Sequence, residues 1–186
     1  NSMNIFSVRS LLTVLLLLQS CWLAAAPLKT DGVKSTVSAT FKQMNVPIDA
    51  RFMKFTAAID FDFAKPDAGK AVIDIDIASF DLGDPDYNRE VLKKEWFNAA
   101  QFPKAQFVSG KLKTVAPGKL EVSGKLSIKG KTLEVTFPLS VKKEGTLLLF
   151  EGSLPIRRLV FNIGDGEWKD TSLVADEVVI KFRILA

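Results

Sequence analysis

The chain has 186 residues, is 47% hydrophobic and carries a formal charge of +4, which suits one domain with a sizeable core. Its basic residues are dispersed, so this charge affects solubility and does not indicate a nucleic-acid partner. The sequence contains no histidine, which removes the commonest general base and the commonest metal ligand.

Residues 1–26 are typical of an export signal. Arg9 gives the segment a positive start, residues 11–18 form an apolar run, and residues 24–26 are three alanines that suit cleavage. The apolar run is too short to span a bilayer. We therefore expect residues 1–26 to be a cleaved signal peptide and residues 27–186 to form a periplasmic domain.

Cys21 is the only cysteine, and residues 18–21 read Leu-Gln-Ser-Cys, which resembles a lipoprotein cleavage box. Two alternatives follow. Either Cys21 is discarded with the signal, or it is acylated and anchors the protein to a membrane. In the first case the mature chain has no cysteine, and no disulfide supports its fold.

Alternation of apolar and polar residues predicts an all-β domain of eight strands. One short helix is expected between the third and fourth strands, where Asp84 can cap it and Pro85 suits its first turn. Leu92, Trp96 and Phe97 would form its buried side. The predicted strands are residues 33–41, 52–63, 71–78, 105–113, 120–128, 133–141, 147–156 and 174–185.

Turn residues predict how neighbouring strands align. A two-residue loop at residues 129–130 pairs Leu126 with Leu133 and Val122 with Phe137, which keeps the apolar residues on one face. A sheet with one continuous apolar face, and no helix series to cover it, tends to curl and bury that face against itself. We therefore predict a single eight-stranded antiparallel barrel.

Two further turns extend this alignment. A two-residue loop at residues 144–145 pairs Val141 with Leu148, and it also keeps the apolar face continuous. At residues 117–118 a two-residue loop would turn two lysines inward. A bulged or odd-length connection is favoured there instead, with Val108 and Leu112 inside and Phe107 outside.

Groups that could support catalysis or metal binding are scarce. Nucleophilic catalysis through a Cys-His or Ser-His pair requires a histidine that the chain lacks. Acidic pairs at residues 84–86 and 165–167 lack calcium-loop spacing and suit turns and caps. We predict no enzyme activity, no catalytic residue, no metal site and no cofactor. Four further carboxylates alternate with apolar residues and should face solvent: Asp60, Asp62, Asp74 and Asp76.

The barrel interior is where a function could reside. An eight-stranded barrel is either filled by its own side chains or holds one slim ligand, and the sequence leaves both open. Gly124 and Gly152 fall on the inward side, where missing side chains leave room or ease bending. The inward residues are almost wholly apolar and rich in Phe, which suits an alkyl or isoprenoid tail.

Several short motifs recur in the order and spacing of a known family. The sequence resembles the YceI-like, polyisoprenoid-binding proteins over residues 33–185. That resemblance implies a lipocalin-like barrel, exported by bacteria, which holds a long isoprenoid or quinone-like lipid in an elongated tunnel. The motifs are Phe41-x-x-Met44-x-Val46-Pro47, Ile77-x-Ser79-Phe80-Asp81-x-Gly83, Phe102-Pro103-x-Ala105-x-Phe107, residues 124–130 and Arg158-Leu159-x-Phe161-x-Ile163-Gly164.

Ligand contact is expected at inward positions near the middle of the strands, although each such residue is equally suited to an ordinary core. An anionic head group could meet Arg158 or Lys131; simple solvent exposure is the alternative for Lys131. The candidate contacts are Phe55, Phe61, Ile75, Val122, Leu126, Phe137, Leu139, Phe150 and Phe182, with Phe97 and Phe161 near an opening.

Two functions of different kinds remain open. In the first, the protein carries or sequesters an amphiphilic lipid and contacts a membrane through ligand exchange or an acylated Cys21. In the second, it is a periplasmic accessory protein of a membrane redox or stress system, and the barrel is only a scaffold. The oligomeric state is open, with a homodimer among the alternatives.

Overall fold

The structure is a computed structural model that describes residues 27–32 and 34–186. One antiparallel sheet dominates it, with one α-helix, α1 (Pro85–Glu90), and four short 3-10 helices at Pro66–Ala68, Ile77–Ser79, Arg158–Phe161 and Gly166–Lys169. The predicted signal peptide and Cys21 lie outside the described residues. The strands are β1 (Thr36–Gln43), β2 (Val46–Phe52), β3 (Phe55–Asp60), β4 (Lys70–Asp76), β5 (Phe80–Asp81), β6 (Lys104–Ala116), β7 (Lys119–Ile128), β8 (Lys131–Glu144), β9 (Leu147–Arg157) and β10 (Val174–Leu185).

The sheet curls into a half-barrel, and a short chain segment connects strands near its two edges. The spatial order is β3-β4-β6-β7-β8-β9-β10-β1-β2-β5, so β2 and β3 lie near opposite edges although only two residues separate them. The amino-terminal segment bridges the remaining space. The amide of Leu28 donates to the carbonyl of Ile59 at 2.7 Å, and the amide of Asp31 donates to that of Leu185 at 2.8 Å.

An all-β, lipocalin-like fold is confirmed, but the sheet has ten strands and not eight. The predicted strands correspond to β1, β3, β4 and β6–β10, while β2 and β5 were missed. Pro47 lies inside β2, and a proline cannot donate a ladder hydrogen bond. It is tolerated because β5 pairs only with Arg51 and Phe52, which leaves the start of β2 at the sheet edge.

The hairpin of β7 and β8 has the predicted alignment. Leu126 lies opposite Leu133 and Val122 opposite Phe137. The loop residues Lys129 and Gly130 have φ angles of 49° and 75°. Positive φ at both central residues is the mark of a turn whose twist matches that of the flanking strands. Local turn chemistry and the apolar pattern therefore agree here.

The predicted alignment of β8 with β9 is wrong by two residues. Val141 lies opposite Phe150 and not Leu148, and Glu144 pairs with Leu147. The two loop residues are therefore 145 and 146, and the positive φ of 62° at Gly145 falls on the first of them. Two-residue turns with glycine at the first central position are a favoured hairpin type. An even shift leaves every side chain on its original face.

A bulge in β6 reverses the predicted orientation of Phe107. The pairing of β6 with β7 shifts between Ser109 and Lys111, so one extra residue is inserted there. The irregularity expected near residues 117–118 corresponds to a second shift, between Thr114 and Ala116, whereas the bulge between Ser109 and Lys111 was not predicted. This unpredicted bulge allows both Phe107 and Leu112 to point inward. Val108 is instead 37% exposed on the outer face. The prediction that Phe107 lies outside and Val108 inside is therefore wrong.

The helix begins as predicted, at Asp84, but it ends before the three apolar residues that were expected to form its buried side. The Asp84 carboxylate accepts hydrogen bonds from the amides of Asp86 and Tyr87, and α1 ends at Glu90. Leu92 and Trp96 lie in the turns that follow. They pack against the barrel core together with Phe97, which places this segment across one end of the barrel.

Candidate ligand-binding cavity

The inward side chains enclose a narrow apolar cavity. Its volume open to the centre of a water-sized sphere is about 150 Å³. By that measure one water needs about 10–15 Å³, so the space admits on the order of ten methylene-sized groups. Lys70 and Ile77 both line it, and these residues flank the length of β4. The cavity therefore runs beside β4.

Most of the predicted contact residues line this cavity. Nine of the eleven do so, and they come from five strands, the segment that follows β3 and the segment after α1. Their contact with a ligand remains a prediction; the structure shows that they share one enclosed space. The nine are Phe61, Ile75, Phe97, Val122, Leu126, Phe137, Leu139, Phe150 and Phe182.

Two predicted contacts lie elsewhere. Phe55 is half-buried on β3 and packs against the core, but it is not part of the cavity wall. Phe161 is 1% exposed in the 3-10 helix Arg158–Phe161 and belongs to the packed core. Phe55 is the first residue of β3, and Phe161 is not on a strand.

Arg158 has a structural position that the sequence did not reveal. Its guanidinium donates hydrogen bonds to five backbone carbonyls, those of Ile163, Gly164, Trp168, Val174 and Ala175. The residue is 2% exposed, and burial lowers the pKa of its guanidinium. Because these donors are occupied and the side chain does not line the cavity, Arg158 is not placed to meet a head group.

Lys131 is also away from the cavity. It is the first residue of β8, lies opposite Ile128 and is exposed. Solvent exposure, the alternative given for this residue, matches its position. The structure therefore brings neither of the two predicted head-group residues to the cavity wall.

Phenylalanine rings occupy the space that the two inward glycines leave. A Cβ at Gly124 would lie 2.7 Å from Cζ of Phe107, and one at Gly152 would lie 2.9 Å from Cε1 of Phe182. The rings of Phe107 and Phe182 contact Phe137 with centroids 5.4 Å and 5.6 Å away. The glycines therefore allow aromatic packing in the wall, and do not themselves create the empty space.

Sequence reasoning missed the polar residues of the cavity wall. Lys70, Gln106 and Ser109 line it together with 22 other residues. Lys70 and Gln106 are exposed and alternate with the inward residues Ala71 and Phe107, so their side chains lie on the outer face of the sheet. Ser109 shares the inward side of β6 with Phe107 and adds a polar side chain to the wall.

The ladder between β4 and β6 stops beside Ser109. Its last pair is Val72 with Val108, and the amide of Ala71 donates to the Ser109 hydroxyl at 2.8 Å. Residues 64–69, which we term the strap, lie beyond. The Asp67 carboxylate accepts hydrogen bonds from the amide and the hydroxyl of Thr114 on β6, and these bonds lower its pKa.

The acidic residues serve turns and the outer surface. Asp62 and Asp76 accept hydrogen bonds from amides two residues later, and Asp74 accepts one from the side chain of Gln106. Across residues 27–32 and 34–186 there is no group of three His, Cys, Asp or Glu side chains that could hold a metal ion. Within the same ranges no helix is long and apolar enough to cross a membrane.

A curled antiparallel sheet around an enclosed apolar space defines the class of lipocalin-like barrel proteins. Residues 28–186 match the model of the YceI-like domain, and the chain belongs to this family.

Solved structures and curated proteins include relatives at different distances. The crystal structure of BcnA from Burkholderia cenocepacia is 52% identical, covers 85% of this chain and 99% of that one, and gives a TM-score of 0.83. A polyisoprenoid binding domain from Saccharophagus degradans, implicated in plant cell wall breakdown, has the same fold. It is 18% identical over 84% of this chain and 95% of that one, with a TM-score of 0.68.

Among curated proteins, a UPF0312 protein of Shewanella denitrificans is 30% identical over 117 residues. The match spans 62% of this chain and 61% of the relative. The chain therefore matches about three-fifths of the length of this relative.

Proposed function

We propose that the protein binds one amphiphilic lipid non-covalently, with an isoprenoid or quinone-like tail inside the barrel, and acts as a carrier or sequestering protein. The observation that carries this proposal is the cavity, a narrow space of about 150 Å³ with an almost wholly apolar wall. The fold shared with a polyisoprenoid binding domain of Saccharophagus degradans supports the same ligand class.

The size of the cavity is consistent with useful affinity. Burial of each methylene contributes about 0.8 kcal/mol, so ten such groups contribute about 8 kcal/mol. That sum corresponds to micromolar binding before ordering costs. A longer isoprenoid tail needs more room, which movement of the phenylalanine side chains or of the strap would supply.

We propose binding without catalysis. Three of the 25 wall residues are polar, and the side chains of two of them, Lys70 and Gln106, alternate toward the outer face of the sheet. The bound lipid would be cargo and not a cofactor. Export to the periplasm, or anchoring through an acylated Cys21, is part of the same proposal, because a carrier of membrane lipids has to reach a membrane surface.

Native mass spectrometry of the protein purified from a bacterial host tests this function. We expect a co-purifying lipid at near one per chain, which organic extraction then identifies. Phe137→Trp should abolish retention, since a larger ring would occupy the cavity. Thr136→Trp, its outward-facing neighbour on β8, is the matched control and should retain lipid.

Two results would contradict the proposal: an empty barrel in the purified protein, or equal lipid retention by Phe137→Trp and the wild type. Thermal unfolding of both variants establishes that they fold. If the barrel is only a scaffold for a redox or stress partner, lipid is absent and Phe137→Trp leaves partner binding intact.

A further inference from the structure

A series of aromatic rings connects the cavity to the surface at one end of the barrel. Phe61 and Phe150 both line the cavity, and their rings meet edge to face with centroids 5.3 Å apart. The next ring outward is that of Phe63, whose centroid lies 6.4 Å from that of Phe61 and whose exposed fraction is 42%. Apolar side chains are therefore in contact from the cavity wall to the surface.

Three contacts join the segments that surround Phe63. The strap is bound to the end of β6 through the carboxylate of Asp67. In the loop between β6 and β7, the carbonyl of Gly118 accepts a hydrogen bond of 2.9 Å from the amide of Val141 on β8. The ammonium of Lys143, also on β8, lies 5.6 Å from the centroid of the Phe63 ring. We term this part of the barrel the strap end; it comprises residues 63–69, 113–119 and 142–147.

The strap end exposes apolar side chains on two of its three segments. Phe63 and the two alanines of the strap are exposed. On the second segment, Val115 is 60% exposed and is followed by the exposed residues Ala116 and Pro117. The apolar surface at Phe63 therefore continues onto the loop between β6 and β7, because Asp67 ties the strap to Thr114 beside Val115.

The charges of the strap end suit an anionic surface. Its two acidic residues are already engaged, Asp67 with Thr114 and Glu144 with Arg183 at 3.5 Å. Lysine stems extend along apolar residues and place their ammonium groups at the level of lipid phosphates. Five exposed lysines belong to this end, of which only Lys142 forms an ion pair within the described residues: Lys65, Lys113, Lys119, Lys142 and Lys143.

The chain also enters the domain at this end. The bridge between Leu28 and Ile59 is antiparallel, so Pro27 lies beside Asp60, close to the start of the strap. Cys21 is six positions before Pro27, and a fully extended chain of that length spans about 20 Å. If Cys21 is acylated, its anchor would therefore hold the strap end close to a membrane.

We propose that the strap end docks on an anionic lipid membrane, with Phe63 and Val115 among the acyl chains and the lysines at the phosphates, and that the lipid tail enters and leaves the cavity there. This inference rests on the proposed lipid binding and assigns the surface through which the cargo is exchanged. Burial of apolar side chains and attraction of lysines to anionic lipids together determine how strongly a protein binds a membrane surface.

Flotation with lipid vesicles measures the docking. The purified protein would be mixed with vesicles of phosphatidylcholine alone, or of equal parts phosphatidylcholine and phosphatidylglycerol. We expect at least about tenfold tighter binding to the anionic vesicles, because each lysine near such a surface contributes on the order of fivefold. The preference should disappear in 1 M NaCl, which screens charges beyond about 3 Å.

Matched variants at the two ends of the barrel test the location. Val115→Ser should weaken vesicle binding about tenfold, since it removes an aliphatic side chain from the acyl region. Val46→Ser is the control, because Val46 is 61% exposed and pairs with Gln43 at the opposite end. Lys143→Gln should weaken binding to anionic vesicles about fivefold. Lys131→Gln, at the other end of β8, should bind like the wild type.

The outcomes separate this inference from the proposed function. Thermal unfolding establishes that the variants fold, and all four should retain lipid in native mass spectrometry. Equal losses of vesicle binding in Val115→Ser and Val46→Ser would overturn the docking assignment and leave lipid binding intact. So would a lipid-loaded protein that binds no vesicles, including one that forms a dimer which Val115→Ser dissociates. Vesicle binding by a protein without retained lipid would contradict the proposed function and the exchange of cargo, while membrane docking would stand.

Discussion

Phe107 and Phe137 meet edge to face inside the barrel, with ring centroids 5.4 Å apart and planes inclined by 63°. The contact depends on two backbone features. The bulge between Ser109 and Lys111 turns Phe107 inward, and Gly124 on β7 leaves the space that its ring occupies. The contact between the two rings therefore requires glycine at position 124, because a side chain there would occupy the space of the Phe107 ring.

Gly124→Ala should destabilise the protein by about 1–3 kcal/mol, as overpacking of a core does. The new Cβ would lie against the Phe107 ring and the Val108 carbonyl, and the backbone of β6 would have to move. Chemical denaturation measures the loss. Gly32→Ala is the control, because nothing lies within 4 Å of a Cβ at that position. Equal unfolding free energies for the two variants would contradict this account of Gly124.

Arg158→Lys should lower the unfolding free energy by about 3 kcal/mol. One ammonium cannot reach the five carbonyls that the guanidinium serves, and buried carbonyls left unpaired cost about 1–3 kcal/mol each. Arg157→Lys is the neighbouring control. Arg157 is exposed and pairs with Asp176, so its replacement should cost less than about 1 kcal/mol. Thermal unfolding of both variants and the wild type measures the two losses. Comparable losses in both variants would count against a special role of Arg158.

The stabilisation that Asp67 gives to the strap should depend on pH. Hydrogen bonds from Thr114 lower the pKa of this carboxyl in the folded protein below its ordinary value of 3.8. The stabilisation is therefore fully present above the unfolded pKa and is lost as the pH falls through the lower folded pKa. Asp67→Asn should unfold more easily than the wild type at pH 7, and the difference should vanish in strong acid.

Thermal unfolding of the wild type and Asp67→Asn between pH 2 and pH 7 measures this difference. Asp60→Asn is the control, because the Asp60 carboxylate makes no hydrogen bond within the part of the chain that the structure describes, and it should show no such dependence. Hydrogen exchange at pH 7 should be faster in residues 64–69 of Asp67→Asn. A pH-independent difference would show that the Thr114 contact does not hold the strap.

Affinity should rise with tail length and then level off. In a series of alkyl carboxylates, each added methylene should strengthen binding about fourfold, which follows from about 0.8 kcal/mol per group, up to about ten carbons. Beyond that length the gain should fall, because the closed cavity of about 150 Å³ is full. Titration calorimetry measures the series. Asp67→Asn, with its strap released, should extend the rise to longer tails; an unbroken rise in the wild type would contradict the cavity size.

The sequence by itself determined the fold class, the faces of most strands and the apolar character of the interior. Side-chain alternation and turn residues act over short distances, so the hairpin at Lys129 and Gly130 could be aligned to the residue. The same signals could not align β9, because a shift by two residues leaves every face unchanged. Of the eleven candidate contacts, nine line the cavity, and eight of these could be selected from strand alternation alone.

Tertiary structure alone decided where the β4–β6 ladder ends and what lies beyond it. The last pair is Val72 with Val108, and the strap beyond is held by the contact of Asp67 with Thr114, a residue 47 positions away in the chain. Arg158 suited a head group by its charge, but the five carbonyls around it come from residues 163–175, which only folding brings together. Local patterns specify faces, whereas gaps and buried networks depend on contacts between residues far apart in the chain.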